Sequence, residues 1–256
     1  MSGRKLGKLA PRHDARTFMA ARGLSSALPV IPPSKNWMAG AEWPMWENDH
    51  YGCCTQVSVA SAIRTWTGAA QGSQILLSNA QVLENYTAVT SPPFDPAQPM
   101  TDRGVVELDV LNRWCREGLV MPGQPGRSYL TGFGAIRLGD FQSVQRAIAF
   151  LGGVYIGLSL PQWAVMEGCG DWGDPPSSAS LSIAGGHAVW IHGYDADWLY
   201  LNTWGERKRM SWKFFLRHCD EIWALVSRQH WTGVSGLSPE GEALDHLVSE
   251  MQASVR

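Results

Sequence analysis

Gly185-Gly186-His187-Ala188-Val189-Trp190-Ile191-His192-Gly193-Tyr194 is followed, after a short turn at 195–197, by Trp198-Leu199-Tyr200-Leu201-Asn202-Thr203-Trp204-Gly205. Both runs are rich in β-branched and aromatic residues and are bounded by Gly and Asp, so they read as the two strands of an antiparallel hairpin. A histidine leads into the first strand and an asparagine closes the second. The rest of the second half has the same character. Residues 154–160 read as a strand interrupted by Pro161, and 210–216 and 222–227 add more strand. Between Trp163 and His187 a long loop, 164–185, is rich in Gly, Ser and Pro and carries Trp172 and Pro175-Pro176. It reads as one wall of a cleft, either as a lid or as a plain surface insertion.

The first half changes period. After Gly52 a run at 54–66 places Val57, Ala60, Ile63 and Trp66 at helical spacing. Ser78 precedes a second helical run, 79–88. A third covers 105–117 and stops at Gly118, and Asp140 caps a fourth that ends before Gly152-Gly153. Helices in one half and an antiparallel sheet in the other make an α+β chain with a cleft where the halves meet. The reading divides the chain into an extended arm at 1–36, a domain at 37–232 whose helical half ends near 150, and a terminal amphipathic helix within 233–256. That helix carries Leu244, Leu247 and Met251 on one face.

Composition narrows the function classes. Hydrophobic residues are 45% and charged residues 17% of 256, which suits a globular chain with one sizeable core. A net charge of −2 argues against a general nucleic-acid binder. No apolar run is long enough to span a membrane, and none follows the basic N-terminus as a secretory signal would. The expectation is a cytoplasmic or virion-associated protein. Five cysteines, an odd count, favour free thiols over a disulfide frame. The 13 tryptophans predict an aromatic core and an aromatic-lined cleft. The arm collects Arg4, Lys5, Lys8, Arg12, Arg16 and Arg22 against Asp14 alone. It reads as a strap that docks on an acidic protein partner, as a segment that crosses the cleft, or as a solvated tail.

Three residues carry the candidate chemistry. Cys54 stands where a helix begins, and unpaired backbone N–H groups there favour a thiolate. His187, between two glycines and an apolar strand, is either a satisfied core histidine or a general base. Asn202 is either a turn former or the acceptor that orients the imidazole, with Trp204 shielding that bond from water.

In this order and at these separations the chain resembles the papain family of cysteine peptidases. That family has a nucleophilic Cys at the head of a central helix, His-Ala-Val on a later strand and Asn-Ser-Trp-Gly on the next. Leu28-Pro29, Asn36-Trp37, Leu77-Ser78 and Ile191-His192-Gly193-Tyr194 extend the likeness over roughly 28–230. Closer still are short papain-like proteins of phages and bacteria. Asn48-Asp49-His50-Tyr51-Gly52-Cys53-Cys54-Thr55 is similar to a segment of theirs, as is the stretch from Lys5 to Thr17. The resemblance implies a phage or prophage setting and a hydrolase acting on peptide or isopeptide bonds. It implies a Cys54–His187–Asn202 triad, no cofactor, and a peptide or protein substrate with a hydrophobic residue near the scissile bond.

The departures are as specific as the matches. Asn48 stands where the family has Gln as oxyanion donor and is one methylene shorter. Thr55 replaces the Trp after the nucleophile. Cys53 is an alternative nucleophile, though Cys54 alone keeps the family's spacing to Asn48. Asp195 and Asp197 are alternative orienters. A zinc site at His50, Cys53, Cys54 and His187 lacks a recurring Cys-x-x-Cys pair and is set aside. The rival reading is a catalytically silent papain-like scaffold that serves as a structural or docking component, for instance of a virion.

Overall fold

The computed structural model describes residues 4–15, 17–20, 24, 29–38, 43–123, 127–233, 235–241, 245 and 248. The helical half contains α1 (Cys54–Gln71), α2 (Asn79–Thr87) and α3 (Glu107–Arg116). Strands β1 (Lys35–Asn36), β2 (Leu119–Val120), β3 (Arg127–Ser128) and β4 (Gly132–Ala135) are short. Helix α4 (Phe141–Leu151) leads into β5 (Val154–Pro161), α5 (Gln162–Val165) and β6 (Ile183–Tyr194). The chain closes with β7 (Trp198–Thr203), β8 (Glu206–Ser211), α6 (Trp212–His218), β9 (Cys219–Val226) and α7 (Arg228–Trp231). The main sheet runs β4-β9-β5-β6-β7-β8, with β1 added to β6, and its strand pairs are antiparallel.

The local signals placed most of these elements. Ser78 and Gln81 form a capping box on α2, and Asp140 accepts from the Ser143 amide at the head of α4. Segment 210–216 is a correction. It splits into the end of β8 and the helix α6, because Ser211 caps a new turn by accepting from the Phe214 amide. The apolar pair Phe214 and Phe215 is buried in either geometry, so pattern alone could not separate them. The predicted terminal helix lies mostly outside the described residues. Pro239 and Glu240 there form a turn, and Asp245 and Val248 are helical.

Helix α1 is the axis on which the two halves meet, packed against β6 on one side and α2 on the other. It is buried nearly all round although it carries Ser58, Ser61, Thr65 and Thr67. Each of those hydroxyls donates to the carbonyl four residues back, at 2.8–2.9 Å, so no polar atom of theirs is stranded. The tryptophans around it are anchored in the same way. The indole N–H of Trp66 donates to Leu151 O, that of Trp231 to Phe150 O, and that of Trp190 to Thr65 Oγ1. This scaffold fixes where the first turn of α1 stands relative to the mouth of β6.

Candidate active site

The loop before α1 is held from below. The Asp102 carboxylate accepts from the Gly52 amide (2.9 and 3.1 Å) and from the Tyr86 hydroxyl (2.7 Å), which in turn accepts from the Gly104 amide. Trp46 and Glu47 take positive φ values of 50° and 63°, a strain that the surrounding bonds must hold. Cys53 is the N-cap of α1 and offers no side-chain cap. Its sulfur turns into the core and donates to the Trp46 carbonyl, and burial pushes the thiol well up. Cys53 Sγ thus faces the core side of the loop, engaged with the Trp46 carbonyl.

Cys54 begins the helix and is fully buried. Burial pushes its thiol up to about 11, and the backbone N–H groups of Ala188 and Gly7 oppose that rise. Ala188 follows His187, so the sulfur lies beside the entry of β6, but no hydrogen bond joins it to the imidazole. His187 is likewise buried, and its ring stacks on Trp204 with centroids 4.2 Å apart and planes 14° apart. Trp172, from the loop predicted to wall the cleft, meets it edge-on at 6.4 Å. Burial, with the Arg4 charge adding, holds the imidazole down at about 3. Its Nε2 lies 2.7 Å from Thr203 Oγ1, and its Nδ1 is buried without a partner. With Nε2–H donating to Thr203, the Nδ1 lone pair is free to take a proton.

Asn202 is not on His187. Neighbouring residues on a strand face opposite sides, so only one of Asn202 and Thr203 can reach the imidazole, and it is Thr203. The Asn202 amide donates instead to His192 Nε2 at 2.8 Å, and His192 Nδ1 bonds Asn36 Oδ1 at 3.1 Å. His192 is the bulged residue of the hairpin, skipped between the pairs Ile191↔Leu201 and Gly193↔Tyr200. Asp195 accepts from the Asp197 and Trp198 amides and the Tyr200 hydroxyl, closing its own turn. Asn48 donates to the Tyr51 carbonyl within its loop at 3.0 Å, while its Oδ1 is buried and unpartnered. Among the described residues, the group with metal-binding spacing is Glu47, Asp49 and His50 at the surface, not the four residues weighed for zinc.

The arm takes the cleft-crossing course among those open to it from the sequence. Residues 4–9 run through the cleft between the two halves. Lys8 N donates to Gly186 O (3.1 Å), Leu9 N to Val105 O (3.0 Å), Val105 N to Gly7 O (2.8 Å) and Lys5 N to Asn48 O (3.2 Å). The strap is thus parallel to the helical wall at Val105 and antiparallel to the sheet wall at Gly186. Glycine is obligatory where backbones touch. A Cβ on Gly7 would lie 1.7 Å from Gly52 O. The arm's cations pair with acids of this chain: Arg4 with Glu206, Lys8 with Asp220 and Glu221, Arg12 with Asp109. The clue available beforehand was a basic arm with a single glycine between Leu6 and Lys8, facing glycines at 52, 104 and 186.

No family model and no curated protein matches the sequence. Solved structures do match. Xylellain, a cysteine protease from Xylella fastidiosa, superposes with a TM-score of 0.65 at 17% identity, over 88% of this chain and 97% of that one. The Carica candamarcensis cysteine protease CMS1MS2, in complex with E-64, gives 0.55 at 18% identity, over 77% and 99%. Digestive procathepsin L 3 of Tenebrio molitor larval midgut gives 0.53 at 14%, over 88% and 76%. At these identities the fold is what is shared: the chain has the papain-like α+β architecture.

Proposed function

We propose that the chain is a cysteine peptidase whose cleft is occupied, in this form, by its own residues 4–9. The observation that supports this best is the strap: an extended peptide held by backbone bonds on both walls, with Gly7 against a thiol at a helix N-terminus. A cleft that binds peptide backbone by strand addition binds a substrate by the same groups. The strap itself is not a substrate. The Gly7 carbonyl is committed to the Val105 amide, and the group of Gly7 that acts on the thiol's charge is its backbone N–H.

Once the strap leaves, His187 Nδ1 takes the Cys54 proton and the sulfur attacks the carbonyl carbon of a bound peptide bond. The carbonyl π electrons move to oxygen, and the free N–H groups of the first turn of α1 hold that oxyanion. Collapse breaks the C–N bond, and the imidazolium gives its proton to the leaving amine. Water, deprotonated by His187, then splits the thioester into a carboxylic acid and the free thiol. Thr203 keeps the ring in the tautomer this requires, and Trp204 covers its face. Asn202 has no part in these steps.

The test is peptide cleavage by a chain carrying Gly7→Ala, which disturbs the strap without touching Cys54 or His187. New fragments of a denatured protein substrate should appear by mass spectrometry and vanish in Gly7→Ala/His187→Ala. An absence of cleavage while Cys54 is open to alkylation would favour the silent scaffold.

A further inference from the structure

Lys8 is the one strap residue whose side chain is swallowed whole: its side chain is 1% exposed. Its ammonium lies 2.8 Å from Asp220 Oδ1 and 2.9 Å from Glu221 Oε1, contacts of charge more than aligned hydrogen bonds, and donates to Leu9 O. Behind it sits Glu107, fully buried, with both carboxylate oxygens unpartnered. Two consecutive residues of β9 reach one pocket because the sheet slips there. Gly157 pairs with Glu221 and Leu158 with Cys219, so Asp220 is bulged out onto the same side as Glu221. Gly157 forms the floor, and a Cβ on it would lie 1.9 Å from Lys8 Cε. The Trp223 indole donates to Glu221 Oε2, fixing that carboxylate in place.

A protein interior does not collect three carboxyls without a cation to justify them. Burial pushes Glu107 and Glu221 upward, repulsion from Glu221 adds to it at Glu107 and repulsion from Asp220 at Glu221, and Lys8 opposes both. The pocket opens beside the candidate site: Gly7, next to Lys8, packs on Gly52 two residues before Cys54, and the Lys8 amide donates to Gly186 O one residue before His187. The residue that fills it stands next to the one that faces the sulfur.

We infer that Glu107, Asp220 and Glu221 form the specificity pocket of this cleft, built for a lysine or arginine side chain close to the scissile bond, and that Lys8 occupies it as a surrogate. This rests on the peptidase reading for its meaning but not for its test. It replaces the expectation of a hydrophobic residue near the scissile bond, since the aromatic side chains Trp172 and Trp204 are spent on enclosing His187.

The first arm of the test measures binding. A chain with Gly7→Ala and Cys54→Ser is titrated with dye-labelled peptides that carry lysine, arginine, norleucine or glutamate at each position in turn. At one position, lysine or arginine should bind roughly 100-fold tighter than norleucine, because norleucine leaves buried charge unpaired. Glu221→Gln should shrink that ratio at least about ten-fold. Equal binding of lysine and norleucine at every position overturns the inference. The second arm keeps the strap in place and reads iodoacetamide labelling of Cys54 in the otherwise native chain. Lys8→Met should speed it at least about ten-fold by weakening the strap's hold, and an unchanged rate overturns the inference as well. Cleavage by the Gly7→Ala chain separates the two readings. Selective binding without cleavage leaves the pocket standing and removes the peptidase; cleavage of lysine and norleucine peptides at equal rates does the reverse.

Discussion

Gly7→Ala is the smallest change that sets the strap against the thiol. The added methyl would lie 1.7 Å from Gly52 O, 2.3 Å from its carbonyl carbon and 2.5 Å from its Cα. Those are backbone atoms, tied to Asp102, and cannot give way cheaply. The strap must move. Four backbone hydrogen bonds hold it, those of Lys5, Lys8, Leu9 and Val105, each worth about 1 kcal/mol net, so losing their alignment removes up to about 4 kcal/mol of docking energy. The open population then rises by up to about 10³. The thiol changes with it. At about 11, the buried Cys54 is a thiolate to only about 3 parts in 10⁴ at pH 7.5, whereas an ordinary cysteine near 8.5 is about one-tenth ionised. Ionisation alone therefore gives a gain of roughly 300-fold. The assay is alkylation of the peptide containing Cys54 at pH 7.5, timed by mass spectrometry, with Cys53 and Cys219 as buried internal controls. The expected result is a Cys54 rate at least about 100-fold above that of the unaltered chain, with the controls unchanged. Equal rates in the two chains would refute the claim that the strap covers the thiol. Equal acceleration at all three cysteines would mean that the fold, not the strap, had opened.

Three further outcomes follow from particular contacts. Thr203→Val should cut the rate of peptide cleavage by the strap-displaced chain roughly 10²-fold, while Asn202→Ala leaves the rate per folded molecule within a factor of about three; the reverse order in kcat would return the orienting role to Asn202. His187 and His192, both held near 3 by burial, stay neutral in the folded chain and charge near 6.5 when unfolded. Their lowered values mean stability is fully present above about 6.5 and is lost as pH falls toward 3, by about 1.4 kcal/mol per pH unit for each. Thermal melts from pH 7.5 to 4.5 should show the decline, and His192→Gln should flatten it. Asp102→Ala strands the Gly52 amide and the Tyr86 hydroxyl and should cost about 2–3 kcal/mol in urea unfolding; a loss below about 0.5 kcal/mol would mean that this carboxylate does not fix the loop.

What the sequence disclosed was whatever is encoded locally. Ser78 and Asp140 announce their helices because a cap and its amide are three residues apart. The hairpin strands β6 and β7 are legible from their apolar runs, and the closeness of Cys54 to β6 from motif order alone. Asn202 lies on His192 and not on His187 for a physical reason. Asn202 and Thr203 are adjacent, a one-residue change in register exchanges their faces, and the bulge at His192 that goes with it leaves no mark in the pattern. The strap's course was not decided by the sequence because its partners are distant. Nothing near Gly7 says that it will meet Gly52, Gly104 and Gly186, and a basic arm looks the same whether its acids belong to a partner or to β9 of its own chain.

The strap's covalent attachment gives it a property that a free inhibitor lacks. A segment joined to the cleft by a short length of chain samples it at an effective concentration in the millimolar range. A peptide that binds the same groups with the same intrinsic affinity therefore reaches half occupancy only near that concentration. Dilution of the protein does not loosen the strap, since the competition is first order in the chain. Response to substrate would then be a threshold set by tether length, and loss of the tether by a single cut outside residues 4–9 would convert a permanent occupant into one that diffuses away.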